Sequence, residues 1–362
     1  MNKEIQYFVA FSANLEIGAK TLAKISQCFS SMEEAWHAPI SKLKEKGLSD
    51  KIINSILKSK SQKKPDEEMK KLDRFKIKAI TKKDKFYPSI LKQIPDAPEL
   101  LYYKGNIECE KEVNLAVVGS RKFSSYGEKA VEKIIKPLCG AGILIVSGLA
   151  LGIDALAHKE ALKAQGRTFA VLGNGLDSIY PSSNRYLAEE IVKNNGALIS
   201  EFPIGTPSFK QNFPFRNRII AGLSRGTLVI EAAASSGSLI TAGCALDYNR
   251  EVFAVPGSIF SSNSEGPNNL IKMGAKTVTG TEDILSELNI EIAKNHQKVK
   301  EIIPDTKEEK IIIETVGEDS LHIDKIAKIS KLDIVKLNQT LILMEMKGKI
   351  KNLGANVYSI VK

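Results

Sequence analysis

LAVVGSRKFSSYG (residues 115–127) begins with an apolar run, turns at Gly-Ser-Arg and continues into an amphipathic segment, Tyr126–Cys139. The same succession recurs downstream after ILIVS (143–147), TFAVLG (168–173), ALIS (197–200), TLVIE (227–231) and VFAVP (252–256). A strand followed by a helix, repeated about six times, is typical of an α/β domain. Because these runs are apolar at every position, the strands must be covered on both faces. We therefore predict a doubly wound, mostly parallel sheet.

The predicted strands end in glycine-rich or polar turns. Of the 25 glycines, 19 lie between residues 113 and 285, and seven of the eight arginines lie there too. The carboxyl ends of parallel strands meet at one edge of the sheet, where such folds bind their ligands. A guanidinium group can hold a phosphate or a carboxylate with two hydrogen bonds, which an ammonium group cannot do. The central segment is thus the candidate anion-binding domain, although structural ion pairs are the alternative for some arginines.

FPFRNRIIAGLS (213–224) is the strongest phosphate-binding pattern. Arg216 and Arg218 flank Asn217 at a predicted helix start, where side chains and free backbone N–H groups can hold successive phosphates. Arg121, after the first predicted strand, adds a third guanidinium across the same edge. Aromatic side chains near this edge are candidates for base stacking, with burial under the sheet as the alternative: Tyr180, Phe213 and Phe215. Arginines with aromatics suit single-stranded nucleic acid, whose bases are free to stack.

Enzyme motifs are poorly represented. Gly173-x-Gly175 lacks the third glycine of a dinucleotide fingerprint, and no P-loop sequence occurs. Asp154 and His158 share a helix face, but a structural histidine is the simpler interpretation. Glu201 and Glu231 at strand ends have no nearby partner in sequence to complete a catalytic group. We predict no enzymatic activity and no cofactor, and keep a nucleotide-processing Rossmann enzyme, similar to the phosphoribohydrolases, as the alternative.

Composition restricts the remaining classes. The chain has 362 residues, 43% hydrophobic and 26% charged, with a net charge of +10, which favours a folded protein and an acidic partner. No apolar run reaches the roughly 18 residues that span a bilayer, and we expect no signal peptide. Four scattered cysteines and four histidines predict neither disulfides nor a metal site. A cytoplasmic location, with no membrane contact, is therefore expected.

The sequences on either side of the core predict smaller domains. Residues 1–65 show helical spacing typical of a small SAM-like or helix-hairpin-helix-like domain, and 66–112 connect it to the core, 113–288. A polar linker, 289–308, precedes a winged-helix-like domain over 309–362. The third helix of that domain has a mixed charge, which favours a protein contact over the alternative of DNA binding. A scaffold that binds proteins through both flanks is a third functional hypothesis.

Seven ordered motifs in the core resemble the DNA-processing protein A family, also called DprA or Smf. These are LAVVGSRKFSSYG (115–127), SGLALGIDALAH (147–158), AVLGNGLDSIYPSSN (170–184), FPFRNRIIAGLS (213–224), VIEAAASSGSLITA (229–242), VFAVPGS (252–258) and SEGPNNLIKMGA (264–275). The resemblance implies that the core is an extended Rossmann-like fold and that the protein binds single-stranded DNA without catalysis. It also implies a homodimer formed through the Rossmann domain and a role in loading the RecA recombinase during natural transformation.

The resemblance also implies a set of binding residues. Those expected to contact DNA are Gly119, Ser120, Arg121, Lys122, Ser147, Gly148, Asn184, Arg185, Arg216, Asn217 and Arg218. One departure concerns the lysine that such relatives often carry after the Tyr-Pro pair, because Ser182 and Ser183 stand here instead. Arg185 and Lys210 are the candidates to replace it.

Overall fold

The computed structural model describes residues 3–290, 304–317, 320–347, 349–352, 354 and 356–360. These residues form two compact units, divided after residue 291. The predicted linker lies largely outside the described residues. No helix in the described ranges is long and apolar enough to cross a membrane.

Six helices open the first unit: α1 (Lys3–Ser12), α2 (Ala19–Cys28), α3 (Met32–His37), α4 (Ile40–Glu45), α5 (Asp50–Gln62) and α6 (Pro65–Arg74). The core continues with β1 (Lys78–Thr81), α7 (Ser89–Lys92), β2 (Leu100–Gly105), β3 (Val113–Val118), α8 (Ser125–Gly140), β4 (Ile143–Ser147), α9 (Ile153–Lys163), β5 (Thr168–Leu172), α10 (Arg185–Lys193), β6 (Ala197–Ser200), α11 (Asn212–Gly222), β7 (Gly226–Val229), α12 (Ser238–Asp247), β8 (Glu251–Ala254), α13 (Glu265–Lys272), β9 (Lys276–Thr277) and α14 (Thr281–Glu287).

The nine strands form one sheet in the order β1-β2-β6-β5-β4-β3-β7-β8-β9. All pairs from β6 to β9 are parallel, whereas β1 pairs antiparallel with β2, and β2 with β6. The predicted doubly wound sheet is confirmed. The segment 66–112, predicted as a connector only, contributes these two antiparallel strands. β2 pairs with β6, which lies far along the chain, and β1 pairs only with β2, so local sequence does not reveal their place in the sheet.

Helices cover both faces of the sheet. Leu115 and Val117 of β3 belong to one buried cluster with Val131 and Ile135 of α8. The alternating residues Ala116 and Val118 belong to another, with Ile219 and Ile220 of α11. The first six helices share a third core with the β2–β6 side of the sheet, which includes Tyr102 and Leu198. The helical region is therefore packed directly on the sheet.

The second unit contains α15 (Lys307–Val316), β10 (Leu321–His322), α16 (Ile323–Ser330), α17 (Ile334–Met346), β11 (Ile350–Asn352) and β12 (Val357–Ile360). The strands pair antiparallel in the order β10-β12-β11. Three helices beside a small sheet form a winged helix, as predicted, around a core that includes Ile312, Leu341 and Tyr358. The third strand, β10, adds to the two-stranded wing expected from sequence.

Gly152 fixes the spacing between the turns after β3 and β4. It has a φ of +85°, and a Cβ atom there would lie 2.2 Å from the carbonyl oxygen of Ser120. The backbone N–H of Ile153 donates to that same carbonyl at 3.1 Å. Only glycine allows the two turns to approach this closely.

Gly152→Ala is expected to destabilise the protein more than Gly142→Ala. Gly142 also has a positive φ, +81°, but a Cβ atom there would meet nothing within 4 Å. The control therefore carries only the left-handed backbone cost of about 1–2 kcal/mol, whereas Gly152→Ala adds a backbone collision. Thermal unfolding followed by circular dichroism compares the two variants. Equal melting temperatures would show that the approach at Gly152 is not a constraint.

Candidate nucleic-acid interface

The strand order reverses between β3 and β7, and a pocket of about 800 Å³ opens at their carboxyl ends. This is the position at which open α/β sheets bind ligands. We call it the switch-point pocket. It is lined by Val118, Gly119, Ser120, Arg121, Lys122, Ala150, Asp154, Tyr180, Ser208, Lys210, Phe213, Pro214, Arg216, Asn217, Ile220, Ala233, Ser235, Ser236, Gly237, Ser238, Thr241 and Asn263.

The turn after β3 is held by its own hydrogen bonds. The backbone N–H of Ser120 donates to the carbonyl of Glu231 at 2.6 Å, and its hydroxyl donates to the carbonyl of Lys122 at 2.8 Å. The amide of Asn263 donates to that carbonyl as well, at 2.9 Å. A Cβ atom at Gly119 would lie 2.7 Å from the side chain of Ile153. The backbone is thus fixed, and the side chains of Arg121 and Lys122 extend from it.

Three cations at the pocket have no acidic partner. In the described part of the chain, no carboxylate lies within ion-pair distance of Arg121, Lys122 or Lys210. All three side chains are exposed. The Arg121 guanidinium carbon lies 5.9 Å from the centre of the Phe213 ring, a cation–π distance that leaves its N–H groups available. This part of the pocket can therefore bind anions such as phosphates.

Two aromatic rings stand beside these cations. The ring centres of Tyr180 and Phe213 are 5.5 Å apart with planes 32° from parallel. Tyr180 is 46% exposed, and Phe213 is half-buried. Gly173 lies under Phe213, since a Cβ atom there would be 2.9 Å from the ring. An exposed ring beside unpaired cations is an arrangement that can stack a base while its phosphate is bound.

Arg216 lies at the floor of the pocket and is almost fully buried. Its guanidinium donates to the carbonyl of Gly148 at 2.9 Å and to the carbonyl of Val171. Asp154, whose carboxylate accepts the N–H of Gly148 at 3.0 Å, supplies the compensating charge. Burial lowers the pKa of Arg216 to about 10 and raises the pKa of Asp154, while each charge opposes the effect on the other. Arg216 is thus primarily a structural cation that joins two strand ends.

Asn217 also lines the pocket, and its amide donates to the carbonyl of Gly237 at 3.1 Å. Three other predicted residues build the walls and do not face the main pocket. Ser147 is buried and donates to the carbonyl of Val117 at 2.6 Å. Asn184 is buried and donates to the carbonyl of Leu149 at 2.9 Å. Gly148 borders a smaller adjoining depression with Arg121 and Tyr180, and a Cβ atom there would lie 2.6 Å from the guanidinium of Arg216.

The structure places Arg218 and Phe215 away from the pocket, which corrects the sequence prediction that they join Arg216 and Phe213. Arg218 is buried and paired with Glu201 at 2.6 Å. Its guanidinium carbon lies 4.5 Å from the centre of the Phe215 ring. In an α-helix, residues two apart are separated by about 200° around the axis. Phe213 and Arg216 therefore face the pocket, and Phe215 and Arg218 face the opposite side of α11.

Arg185, which the sequence predicts to contact DNA, also lies outside the switch-point pocket. It lies at the start of α10, paired with Glu189 at 3.3 Å, and borders a different depression that includes Asp177. Of the two candidates to replace the expected lysine, Lys210 lines the pocket and Arg185 does not. The sequence analysis missed Asn263, Ser208 and Ser236, which also line it. Ser236 lies in the turn after β7, within the motif 229–242, whereas Ser208 and Asn263 lie outside the quoted motifs.

The carboxylates considered for chemistry have structural partners. Glu231 accepts hydrogen bonds from the N–H of Ser124 at 2.9 Å and from the hydroxyl of Ser124 at 2.5 Å, which hold the start of α8.

The imidazole of His158 is buried, with its Nδ1 2.6 Å from the hydroxyl of Thr168. Burial lowers the pKa of His158 to about 3, so the imidazole is neutral. This agrees with the structural interpretation of His158. Among the residues that the structure describes, no cluster of three or more metal-ligating side chains occurs.

The fold and this pocket define a Rossmann-like α/β protein with a cationic, aromatic-lined site at the topological switch point. The chain belongs to the family described as DNA recombination-mediator protein A, whose model matches residues 78–289, and a model for the DprA winged helix domain matches residues 297–356. The predicted family resemblance is confirmed.

The relatives that match this chain carry the names Smf and DNA processing protein A. Protein Smf of Escherichia coli is 51% identical over 203 residues, which cover 56% of this chain and 54% of that protein. Protein Smf of Synechocystis is 38% identical over 84% of this chain and 77% of its own length. The structure of DNA processing protein A from Streptococcus pneumoniae matches with a TM-score of 0.68 and 38% identity, over 78% of this chain and 97% of its own. A structure of the Helicobacter pylori protein, described as having a unique single-stranded DNA binding mode, matches with a TM-score of 0.52 and 28% identity over 59% of this chain and 96% of its own.

Proposed function

We propose that this protein binds single-stranded DNA in the switch-point pocket and does so without catalysis, in the cytoplasm. The observation that carries the proposal is the group of unpaired cations, Arg121, Lys122 and Lys210, beside the Tyr180–Phe213 ring pair. Cations that have no carboxylate partner attract the phosphates, and exposed rings select strands whose bases are unpaired. The single-stranded DNA binding named for the H. pylori relative supports the same assignment.

The residues proposed to meet DNA are those that line the pocket: the backbone at Gly119 and Ser120, the cations Arg121, Lys122 and Lys210, the rings of Tyr180 and Phe213, and Asn217. Arg216 acts from below by holding the pocket floor and adding positive charge. Ser147, Gly148 and Asn184 position the loops. The alternative of a nucleotide-processing enzyme is less favoured, because the carboxylates of Glu201 and Glu231 are engaged by Arg218 and Ser124.

Arg121→Ala is expected to weaken single-stranded DNA binding by about 10- to 100-fold, since a charge-assisted hydrogen bond contributes about 1.5–3 kcal/mol. Fluorescence anisotropy of a labelled oligonucleotide, titrated over salt concentration, measures the loss. The log–log salt slope should flatten by about 0.7 if one phosphate contact is removed. Arg185→Ala is the matched control, because Arg185 is exposed, paired with Glu189 and outside the pocket. Wild-type affinity in Arg121→Ala would contradict the pocket assignment.

We further propose a homodimer formed through the β8–β9 side of the Rossmann sheet. The two-residue strand β9 is the edge of the sheet, and an edge strand presents unpaired backbone groups to a second copy. Met273, just before β9, is 77% exposed, so an apolar side chain next to this edge is available to a second copy.

Met273→Asp is expected to shift the protein from dimer to monomer, because a buried unpaired carboxylate opposes an apolar interface. Light scattering after size-exclusion chromatography gives the mass directly. The control is Ile40→Asp, because Ile40 is exposed on α4 of the helical region. Met32→Asp is unsuitable as a control, since Met32 lies in the core. A dimer that persists in Met273→Asp would place the interface elsewhere.

We also propose that the protein loads the RecA recombinase onto single-stranded DNA during natural transformation. Membership in a family described as recombination mediators supports this role. The wild-type protein should shorten the lag before RecA hydrolyses ATP on single-stranded DNA, and Arg121→Ala should not. A wild-type protein that binds the DNA but leaves the lag unchanged would contradict the mediator role and leave the binding pocket intact.

A further inference from the structure

A second concave surface lies between the helical region and the sheet, on the far side of α11 from the switch-point pocket. We call it the lateral groove. It has a volume of about 290 Å³, and its apolar walls come from the helical region on one side and the core on the other: Leu15, Ile17, Leu22, Phe202, Phe209 and Phe215. Sites of about 300 Å³ are at the small end of ligand pockets. The groove therefore has room for one small planar group.

The aromatic side chains of the groove are available for contact. Phe209 is 49% exposed, and Leu15 at the opposite wall is also exposed. Phe202 and Phe215 have ring centres 6.5 Å apart, and Phe215 rests on the guanidinium of Arg218. The Arg218–Glu201 pair thus supports one wall from below. Aromatic and aliphatic side chains around an open space bind planar rings by stacking.

The polar atoms of the groove exclude a phosphate. Glu99 and Glu201 line it together with the amides of Gln211 and Asn212, and none of its lining residues, all of them described, is a lysine or an arginine. Glu201 is paired with Arg218, so Glu99 is the carboxylate that would repel an anion, whereas N–H groups of a neutral ligand would find acceptor oxygens in Glu99 and Gln211. A nucleobase is planar, neutral and carries such donors. The groove fits the base of a nucleotide but not its phosphate.

The segment 208–215 forms the ridge between the two sites. Ser208, Lys210 and Phe213 line the switch-point pocket, whereas Phe209, Gln211 and Phe215 line the lateral groove. A strand that leaves the pocket over this ridge passes Lys210, an exposed cation for its phosphate, directly before Phe209. The ridge connects a phosphate-binding side to a base-binding side within a few residues of one another.

We infer that the lateral groove holds one nucleobase of the same single strand whose phosphates lie in the switch-point pocket. This inference rests on the proposed function and extends it to the helical region, whose Leu15 and Ile17 form one wall. The helical region then lengthens the binding site by direct contact with a base, and it does not need to contact phosphates.

The test compares wild type, Phe209→Ala and Arg121→Ala with oligothymidines of increasing length. Phe209→Ala should bind the shortest strands like wild type and should lose about 5- to 100-fold in affinity once the strand is long enough to cross the ridge. Arg121→Ala should lose affinity at every length. Phe86→Ala is the matched control, because Phe86 is 47% exposed and borders neither site. Anisotropy gives each dissociation constant.

A scan with single abasic sites in a long strand locates the base. Removal of the base in the groove should weaken wild-type binding but leave Phe209→Ala unchanged, because the variant has already lost that contact. Wild-type affinity of Phe209→Ala at all lengths would overturn the inference, as would an equal loss at the shortest length, which would place Phe209 in the pocket. If Arg121→Ala still weakens binding in either case, the switch-point pocket stands without the groove.

Discussion

The buried guanidinium of Arg216 is the interaction on which the site depends. It donates to the carbonyls of Gly148 and Val171, which belong to the ends of two neighbouring strands, and Asp154 balances its charge. Removing one member of a buried charge pair leaves the other uncompensated, at a cost of about 3–5 kcal/mol. The position of α11 relative to β4 and β5, and hence the shape of the pocket, follows from this cation. Arg216 builds the floor in this way, and the exposed cations Arg121, Lys122 and Lys210 have no such structural role.

The helical repeat of α11 then divides its residues between two sites. Phe213, Arg216 and Asn217 face the pocket, whereas Phe215 lines the lateral groove and Arg218 is buried against the Phe215 ring. Each face has its own buried arginine and its own carboxylate, Asp154 on one side and Glu201 on the other. The Arg216–Asp154 and Arg218–Glu201 pairs differ in the charge of the site beside them. Asp154 is buried below a pocket that retains three unpaired cations, whereas Glu201 and Glu99 leave the groove without free positive charge.

The sequence was sufficient for most of the fold, because apolar runs at every position identify strands covered on both faces. It did not reveal β1 and β2, because β2 joins the sheet through a long-range pairing with β6, and β1 joins it only through β2. For the site, Arg121 and Lys122 could be predicted because they follow a strand at the switch point. Phe215 and Arg218 lie outside the pocket, since proximity in sequence does not determine the side of a helix, and Arg185 borders a different depression. For the lysine expected after the Tyr-Pro pair, the sequence left two candidates, Arg185 and Lys210, and Lys210 is the one that lines the pocket. Asn263 also lines the pocket, from a loop that carries no sequence motif.

The distribution of unpaired charge says more about binding than the net charge of +10. In the winged helix, Lys336 pairs with Glu308 at 2.7 Å and Lys347 with Asp305 at 2.8 Å, so cations within and next to α17 are already engaged. The exposed positions of α17 include Val335, Ile342 and Leu343. A helix that reads a DNA groove needs polar and basic side chains at such positions. This surface therefore favours a protein contact, as its sequence suggested, whereas the unpaired cations Arg121, Lys122 and Lys210 are grouped in the switch-point pocket.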